Sequence, residues 1–459
     1  MAKVNPDQII GDSKFNRLHL SLFLWSFFII LFDGYDLAVY GTALPLIMED
    51  WGLNAVEAGS IASYGLFGMV FGAIIFGILA DRIGRKKVII INVLLFSLFT
   101  LLCGLASSAV TFSIYRFIAG LGLGGIMPNI AALVSDYAPK KMKIKLVSYT
   151  LVSFAIGGAL APTVGVLLIE GFGWRSVFMV AGLPLLAIPF MMKQLPESSK
   201  YLIRTGKKEE LFSTLAKVSP GSTFKITDEI EEVKATQTKV PVAGLFKEHR
   251  AFSTIGFWIA FFCALLMVYG LNTWLPKLMI ETGYGLNSSL GFLIALQGGA
   301  IIGILALSSL CEEYGSKKVI MASYISGAIA LALLGFGGST FYIFILVAIA
   351  GAATTGAQVL IQAYVTSFYP SEMKSTGLGV ASGIGRFGGM TGPILGGFLL
   401  TLALPNFMNF LVFSIVSIVA AIGLLLIADK YSASNIKARA TTQNTSLSSK
   451  GEIREKGIG

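Results

Sequence analysis

Twelve apolar stretches follow one another along the chain, at 20–48, 57–80, 87–108, 111–136, 144–169, 175–193, 252–280, 288–311, 317–337, 340–368, 374–402 and 405–428. Each approaches or exceeds the roughly 20 residues that a helix needs to cross a bilayer. In hydrocarbon every backbone N–H and C=O must find its partner inside the protein, which leaves segments of this length little choice but the helix. No soluble core absorbs so much apolar sequence. Of the 459 residues 55% are hydrophobic and 13% charged, whereas soluble domains are about a quarter charged. The expected fold is an all-α membrane protein with twelve transmembrane helices. The first stretch is too long for a signal peptide, carries two acids in its core and lacks a clear small-residue cleavage site, so it is expected to be a span.

The chain is also written twice. Shifted by 231 residues, the halves match without a gap: Gly84 meets Gly315, Lys86-Lys87-Val88-Ile89 meets Lys317-Lys318-Val319-Ile320, and Pro139 meets Pro370. Further along the same diagonal Met142-Lys143 meets Met373-Lys374, Gly157-Gly158 meets Gly388-Gly389, and Pro162 meets Pro393. Six spans per repeat is an even number, so both copies enter the membrane in one orientation. The pattern predicts two six-helix bundles, over 1–193 and 251–429, related by a pseudo-two-fold along the membrane normal. Such halves can rock about a site at their interface and open it to either side in turn. Duplication for assembly alone, as in a channel, is the plainer alternative.

The net charge of +10 is placed for topology rather than for nucleic acid. Short even-numbered loops carry Arg82, Arg85, Lys86 and Lys87, then Lys140, Lys141, Lys143 and Lys145, then Lys317, Lys318 and Lys374; the odd-numbered loops carry only Arg175 and Lys277. By the positive-inside rule the even loops and both termini are expected in the cytoplasm, with the chain multi-pass in the cytoplasmic membrane. The polar stretch 194–250 mixes Lys207-Lys208-Glu209-Glu210 with Asp228-Glu229-Ile230-Glu231-Glu232 and reads as a cytoplasmic linker of short amphipathic helices; 430–459 reads as a disordered tail. Cys103, Cys263 and Cys311 are scattered and show no metal spacing, and His19 and His249 lie near helix ends. With no metal, nucleotide or nucleophile motif, an enzyme is not expected and no cofactor is called for.

Ionisable residues inside spans are costly, about 2.5–3.5 kcal/mol for an acid at a helix centre on insertion scales, and by default mark a function. Asp33 and Asp36 lie in the first span at i, i+3 and share a face with Tyr40. Arg116 lies in the fourth span, where it needs an acid or an anionic ligand. Its two readings are proton coupling with the aspartates and a structural salt bridge to Asp33 or Asp36. Arg386 stands midway along the glycine-dense eleventh span, and its planar fork suits a carboxylate. Further polar candidates are Asn272, Gln297, and Gln358 with Gln362 at i, i+4. Tyr35, Tyr40, Tyr269 and Trp274 offer aromatic walls, although each of these side chains serves equally well in packing or in interhelical hydrogen bonds.

The loop Gly77-Ile78-Leu79-Ala80-Asp81-Arg82-Ile83-Gly84-Arg85-Lys86-Lys87, with a degenerate copy from Ser308 to Lys318, resembles the signature of the major facilitator superfamily. Arg116 and the glycines Gly120, Gly122, Gly124 and Gly125 resemble its fourth-helix pattern. The resemblance implies that the loop latches the two bundles on the cytoplasmic side, with Asp81, Arg82 and Arg85 as gating residues. Asp33-Gly34-Tyr35-Asp36, followed by Gly41 and Pro45, resembles the aromatic acid:proton symporter family within that superfamily, and Pro196-Glu197-Ser198-Ser199-Lys200-Tyr201-Leu202 also fits. What this implies is uptake of a benzoate-like acid with protons, using Asp33 and Asp36. On the reading of the residues themselves, Arg116 joins the coupling by tuning the aspartates, Arg386 pairs the incoming carboxylate or else forms a structural ion pair, and the chain is expected to be a monomer. The residues by themselves agree in kind, because burial disfavours a charged carboxyl and a neighbouring guanidinium favours it. Competing readings are a proton-driven exporter of drugs or metabolites, an importer of non-aromatic acids, and a sensor that binds without moving solute.

Overall fold

The structure, a computed structural model, describes residues 3–220, 224, 228–230, 241–370, 372–402 and 404–432. Twelve helical spans are seen: α1 (Arg17–Trp51), α2 (Ala55–Ile83), α3 (Arg85–Gly104), α4 (Ala109–Tyr137), α5 (Lys143–Phe172) and α6 (Arg175–Gln194), then α7 (Ala251–Glu281), α8 (Leu286–Tyr314), α9 (Ser316–Leu334), α10 (Thr340–Phe368), α11 (Lys374–Thr401) and α12 (Asn406–Leu425). Eleven combine span length with high apolarity among the described residues. The twelfth, α11, is diluted by its glycines, Lys374 and Arg386. Ends follow capping chemistry: Asn16 with His19, and Asn54 with Glu57, close capping boxes on α1 and α2, and Gly52 ends α1 at φ 61°. Two spans are less regular than the sequence suggests. A turn at Ala181–Gly182 interrupts α6, and a π segment, Ala352–Gly356, interrupts α10.

The repeat seen in the sequence is repeated in the contacts. A Cβ placed on Gly157 would stand 1.7 Å from the Leu31 carbonyl oxygen, and one on Gly388 would stand 2.0 Å from that of Phe262; both pairs are shifted by 231. Gly120 meets Gly65 as Gly351 meets Leu296, and Gly68 meets Phe117 as Gly299 meets Ala348. Small residues let backbones touch where hydrophobicity gives no net drive for helices to associate in lipid. The same three glycine contacts, on two helix seams, therefore assemble both bundles.

The bundles meet on the side away from the linker. A Cβ on Gly41 of α1 would lie 1.8 Å from the carbonyl of Asn272 on α7, its own mate in the second repeat, so the pseudo-axis passes between these helices. On α2, Gly59 abuts the Pro393 carbonyl of α11 and Ser63 Oγ donates to the Met390 carbonyl at 2.8 Å. Gly165 of α5 abuts Leu290 of α8, the counterpart of the α2–α11 contact. Toward the linker side the same face of α2 is open: a side chain at Gly77 would meet nothing, and Asp81 and Arg82 are exposed.

The linker side carries helices Ser199–Arg204 and Lys208–Val218 and a 3-10 turn, Val242–Phe246. Asn16 Nδ2 donates to the carbonyls of Lys217 and Val218, tying the start of α1 to the linker. Residues 231–240 and the tail beyond 432, both read above as linker or tail, lie outside the described residues.

Candidate functional site

Midway along the bundles is a chamber walled by Asp33, Asp36, Leu37 and Tyr40 of α1, Gly65 and Met69 of α2, Arg116 of α4, Phe154 of α5, and Tyr269 and Thr273 of α7. Its free volume is about 30 Å³, room for a water or two. As it stands it has no room for a larger ligand.

The two aspartates are in different circumstances. Asp36 is engaged on both oxygens: Arg116 Nη1 donates to them at 2.8 and 2.9 Å, and Thr100 Oγ1 donates to Oδ1 at 2.6 Å. Asp33 is 2% exposed, and its Oδ2 is buried without a partner. Arg116 is likewise buried, and its Nε has no partner. Arg386 reaches across from α11 and donates Nη1 to the Met69 carbonyl at 2.6 Å, in the chamber wall. The face shared by Asp33, Asp36 and Tyr40 is therefore turned to the chamber; Arg116 is part of its wall, and Arg386 meets that wall through the Met69 carbonyl without lining the chamber itself. Arg116 forms an ion pair whose acid is Asp36, an arrangement compatible with either reading of that arginine.

The chemistry is lopsided. Shifted by 231, Asp33, Asp36, Thr100 and Arg116 fall on Ala264, Met267, Leu331 and Val347, all in the second bundle's core. Arg386 falls on Ala155. One bundle holds the acids and their arginine; the other contributes a single cation and Tyr269. The fold is symmetric and the charge is not.

Several candidates do not face the chamber. Tyr35 lies 200° around the helix from Asp33, is fully buried, and donates its hydroxyl to the Val177 carbonyl of α6 at 2.7 Å. Trp274 is sealed against α11, its Nε1 donating to the Pro393 carbonyl at 2.7 Å. Asn272 turns Nδ2 back to the Val268 carbonyl of its own helix. Gln297 is buried over Gly158 with neither amide atom partnered, outside the chamber wall. Gln358 and Gln362 are half-buried on α10 beyond its π segment, likewise outside that wall. Tyr40 is a wall residue; its hydroxyl donates to the Ala58 carbonyl, and its ring lies 6.0 Å from the Arg116 guanidinium. Spacing identifies a helix face, but it does not tell which interior that face borders.

On the open linker side the loop charges are held within the first bundle. Arg85 pairs with Asp136 of α4, whose carboxylate also takes Ser198 Oγ at 2.7 Å and Lys200 Nζ at 3.7 Å. Glu197 accepts the backbone N–H groups of Lys86 and Ser198. These bonds knit the first bundle to the start of the linker, while Asp81 and Arg82 remain exposed. Asp136 and Thr100 were not singled out in the sequence, because a lone polar residue in an apolar helix has no spacing that marks it. Gly84 is held at φ 101°, and a Cβ there would stand 2.3 Å from the Glu197 carboxylate. We expect Gly84→Ala to cost about 1–3 kcal/mol, visible as a lowered thermal unfolding midpoint in detergent.

Two six-helix halves with an ion pair and a lone arginine around a central chamber define a membrane transporter. The model of the Major Facilitator Superfamily matches residues 26–310 and 288–458, and the chain belongs to that superfamily. It is 45% identical over 436 residues to a benzoate transport protein of Acinetobacter baylyi, covering 93% of each chain. It is 35% identical to a gentisate transporter of Corynebacterium glutamicum (91% of this chain, 88% of the other) and 32% identical to the 4-hydroxybenzoate transporter PcaK of A. baylyi (87% and 89%). Among solved structures, an inward open conformation of the xylose transporter XylE from E. coli shares the fold, with TM-score 0.70 at 16% identity over 89% of this chain and 96% of that one.

Proposed function

We propose that the protein imports an aromatic monocarboxylate of the benzoate or hydroxybenzoate type by proton symport with alternating access. The observation that carries this reading is a chamber walled by Asp33, Asp36, Arg116, Tyr40, Phe154 and Tyr269, with Arg386 of the other bundle bonded to the Met69 carbonyl in that wall. Guanidinium groups pair carboxylates in charge-assisted bonds, and aromatic walls suit a ring. Full-length relatives named for benzoate, gentisate and 4-hydroxybenzoate support the substrate class. The energy source is the proton gradient, with no cofactor, and a single chain suffices. By loop charge the linker side is cytoplasmic, and the described arrangement, closed on the opposite side, is then inward-facing.

The test is uptake by intact cells. Cells making the protein accumulate labelled 4-hydroxybenzoate or benzoate faster at acidic external pH, and a panel of carboxylates competes in order of its likeness to the true substrate. Arg386→Ala lowers uptake at least about tenfold, the worth of about 1.4 kcal/mol, without loss of protein from the membrane. Cells that gain no aromatic-acid uptake but become resistant to lipophilic cations contradict the proposal and favour an exporter.

A further inference from the structure

We infer that Asp33 alone carries the coupling proton, that Asp36 serves to hold Arg116, and that the chamber takes one proton with each carboxylate, so that the exchange across the membrane is electroneutral. This rests on the proposed function and goes further, dividing two acids that the sequence treats as a pair.

The division follows from occupancy. Protonating Asp36 would break its ion pair with Arg116, whose guanidinium is itself buried. Asp33 has a buried oxygen that nothing else occupies, so a proton can be added there without breaking any bond. The other charged and titratable groups around the chamber are Asp36 and Tyr40 on the helix of Asp33, Arg116 on α4 and Tyr269 on α7, with Arg386 of α11 bonded to the wall at the Met69 carbonyl; α2 and α5 turn no titratable side chain to the chamber. Asp33 is thus the one carboxyl in the group that lacks a positively charged hydrogen-bond partner.

The stoichiometry follows from charge. Arg116 and Arg386 bring two positive charges and Asp36 one negative. With Asp33 protonated the chamber is left at plus one, and a monocarboxylate brings it to zero. With Asp33 ionised the empty chamber is already at zero. The fully loaded and the fully empty chambers are therefore neutral, whereas proton alone or anion alone leaves a net charge midway through the bilayer. An uncompensated charge there costs several kcal/mol. Only the neutral forms rock freely, which prevents slippage. Asp33 takes its proton from water in the outward mouth and returns it to water in the inward mouth, and no other bond changes.

The experiment uses the purified full chain in proteoliposomes and labelled 4-hydroxybenzoate, with rates taken above those of protein-free liposomes because undissociated acid crosses lipid unaided. Wild-type protein should respond to an imposed pH gradient, worth about tenfold accumulation per unit at one proton per anion, and be indifferent to an inside-negative potassium diffusion potential. Asp33→Asn mimics the protonated form: it should lose gradient-driven net uptake and the dependence of its remaining labelled-for-unlabelled exchange on pH, whatever the absolute rate of that exchange. Asp36→Asn should lose both net uptake and exchange. A second readout needs no variant: acid binding to the detergent-solubilised wild type should take up one proton per anion, measured by calorimetry in buffers of different ionisation heat. The inference is overturned if Asp33→Asn retains gradient-driven uptake, if the diffusion potential accelerates wild-type uptake, or if binding takes up no proton. Absence of any uptake by wild-type protein would instead defeat the proposed function.

Discussion

Asp36→Leu should lower the fold stability of the protein by about 3–5 kcal/mol and abolish uptake, because it leaves Arg116 buried without its acid. The pair is enclosed: the side chains are 8% and 3% exposed. Thr100 loses its acceptor in the same step. Removing the arginine alone, as Arg116→Met, should cost a similar amount. The double variant separates structure from transport. With both charges replaced by apolar groups of similar size the desolvation penalty disappears, so much of the stability should return, whereas uptake should not. Thermal unfolding in detergent and cell uptake, measured on the same three variants, check this. Single variants that melt with the wild type would show that the pair is solvated.

The second large effect concerns two glycines that look alike in the sequence and differ in the structure. Gly120 lies within the first bundle, where a Cβ would stand 2.0 Å from the Gly65 carbonyl. Gly41 lies between the bundles, with 1.8 Å to the Asn272 carbonyl. Gly120→Val should separate α2 from α4 and cost both stability and function, since forcing atoms into a packed core costs about 1–3 kcal/mol and more against backbone. Gly41→Val should instead prevent the halves from closing on the side away from the linker. Its unfolding midpoint should stay near that of wild type while uptake falls at least about tenfold, roughly 1.4 kcal/mol. Equal losses of stability in the two variants would mean that the Gly41 seam is a permanent contact rather than one that opens in the cycle.

Much of the fold could be read from the sequence because it rests on two coarse signals. Apolar length gave twelve spans, and the 231-residue shift is visible again in the pairs Gly157–Leu31 and Gly388–Phe262. The site was legible where cost marked it: Asp33, Asp36, Arg116 and Arg386 stand out because few other uses justify a charge at that depth. Neutral polar and aromatic residues carry no such mark. Tyr35 and Tyr40 sit five residues apart and both bond a backbone carbonyl, but only Tyr40 borders the chamber. Thr100 completes the Asp36 site from a helix whose sequence is otherwise apolar there. Arg85 of the loop finds its acid in Asp136 of its own bundle, a pairing that depends on how α3 and α4 meet rather than on any local pattern.

The most direct test is a structure of the protein determined with benzoate bound. The account predicts carboxylate density between the halves, within hydrogen-bond reach of Arg386 and on the side of Asp33, with the ring against Tyr40, Phe154 or Tyr269. A ring bound on the lipid-facing surface, or a chamber that stays closed to saturating ligand with Arg386 turned away from it, would contradict it.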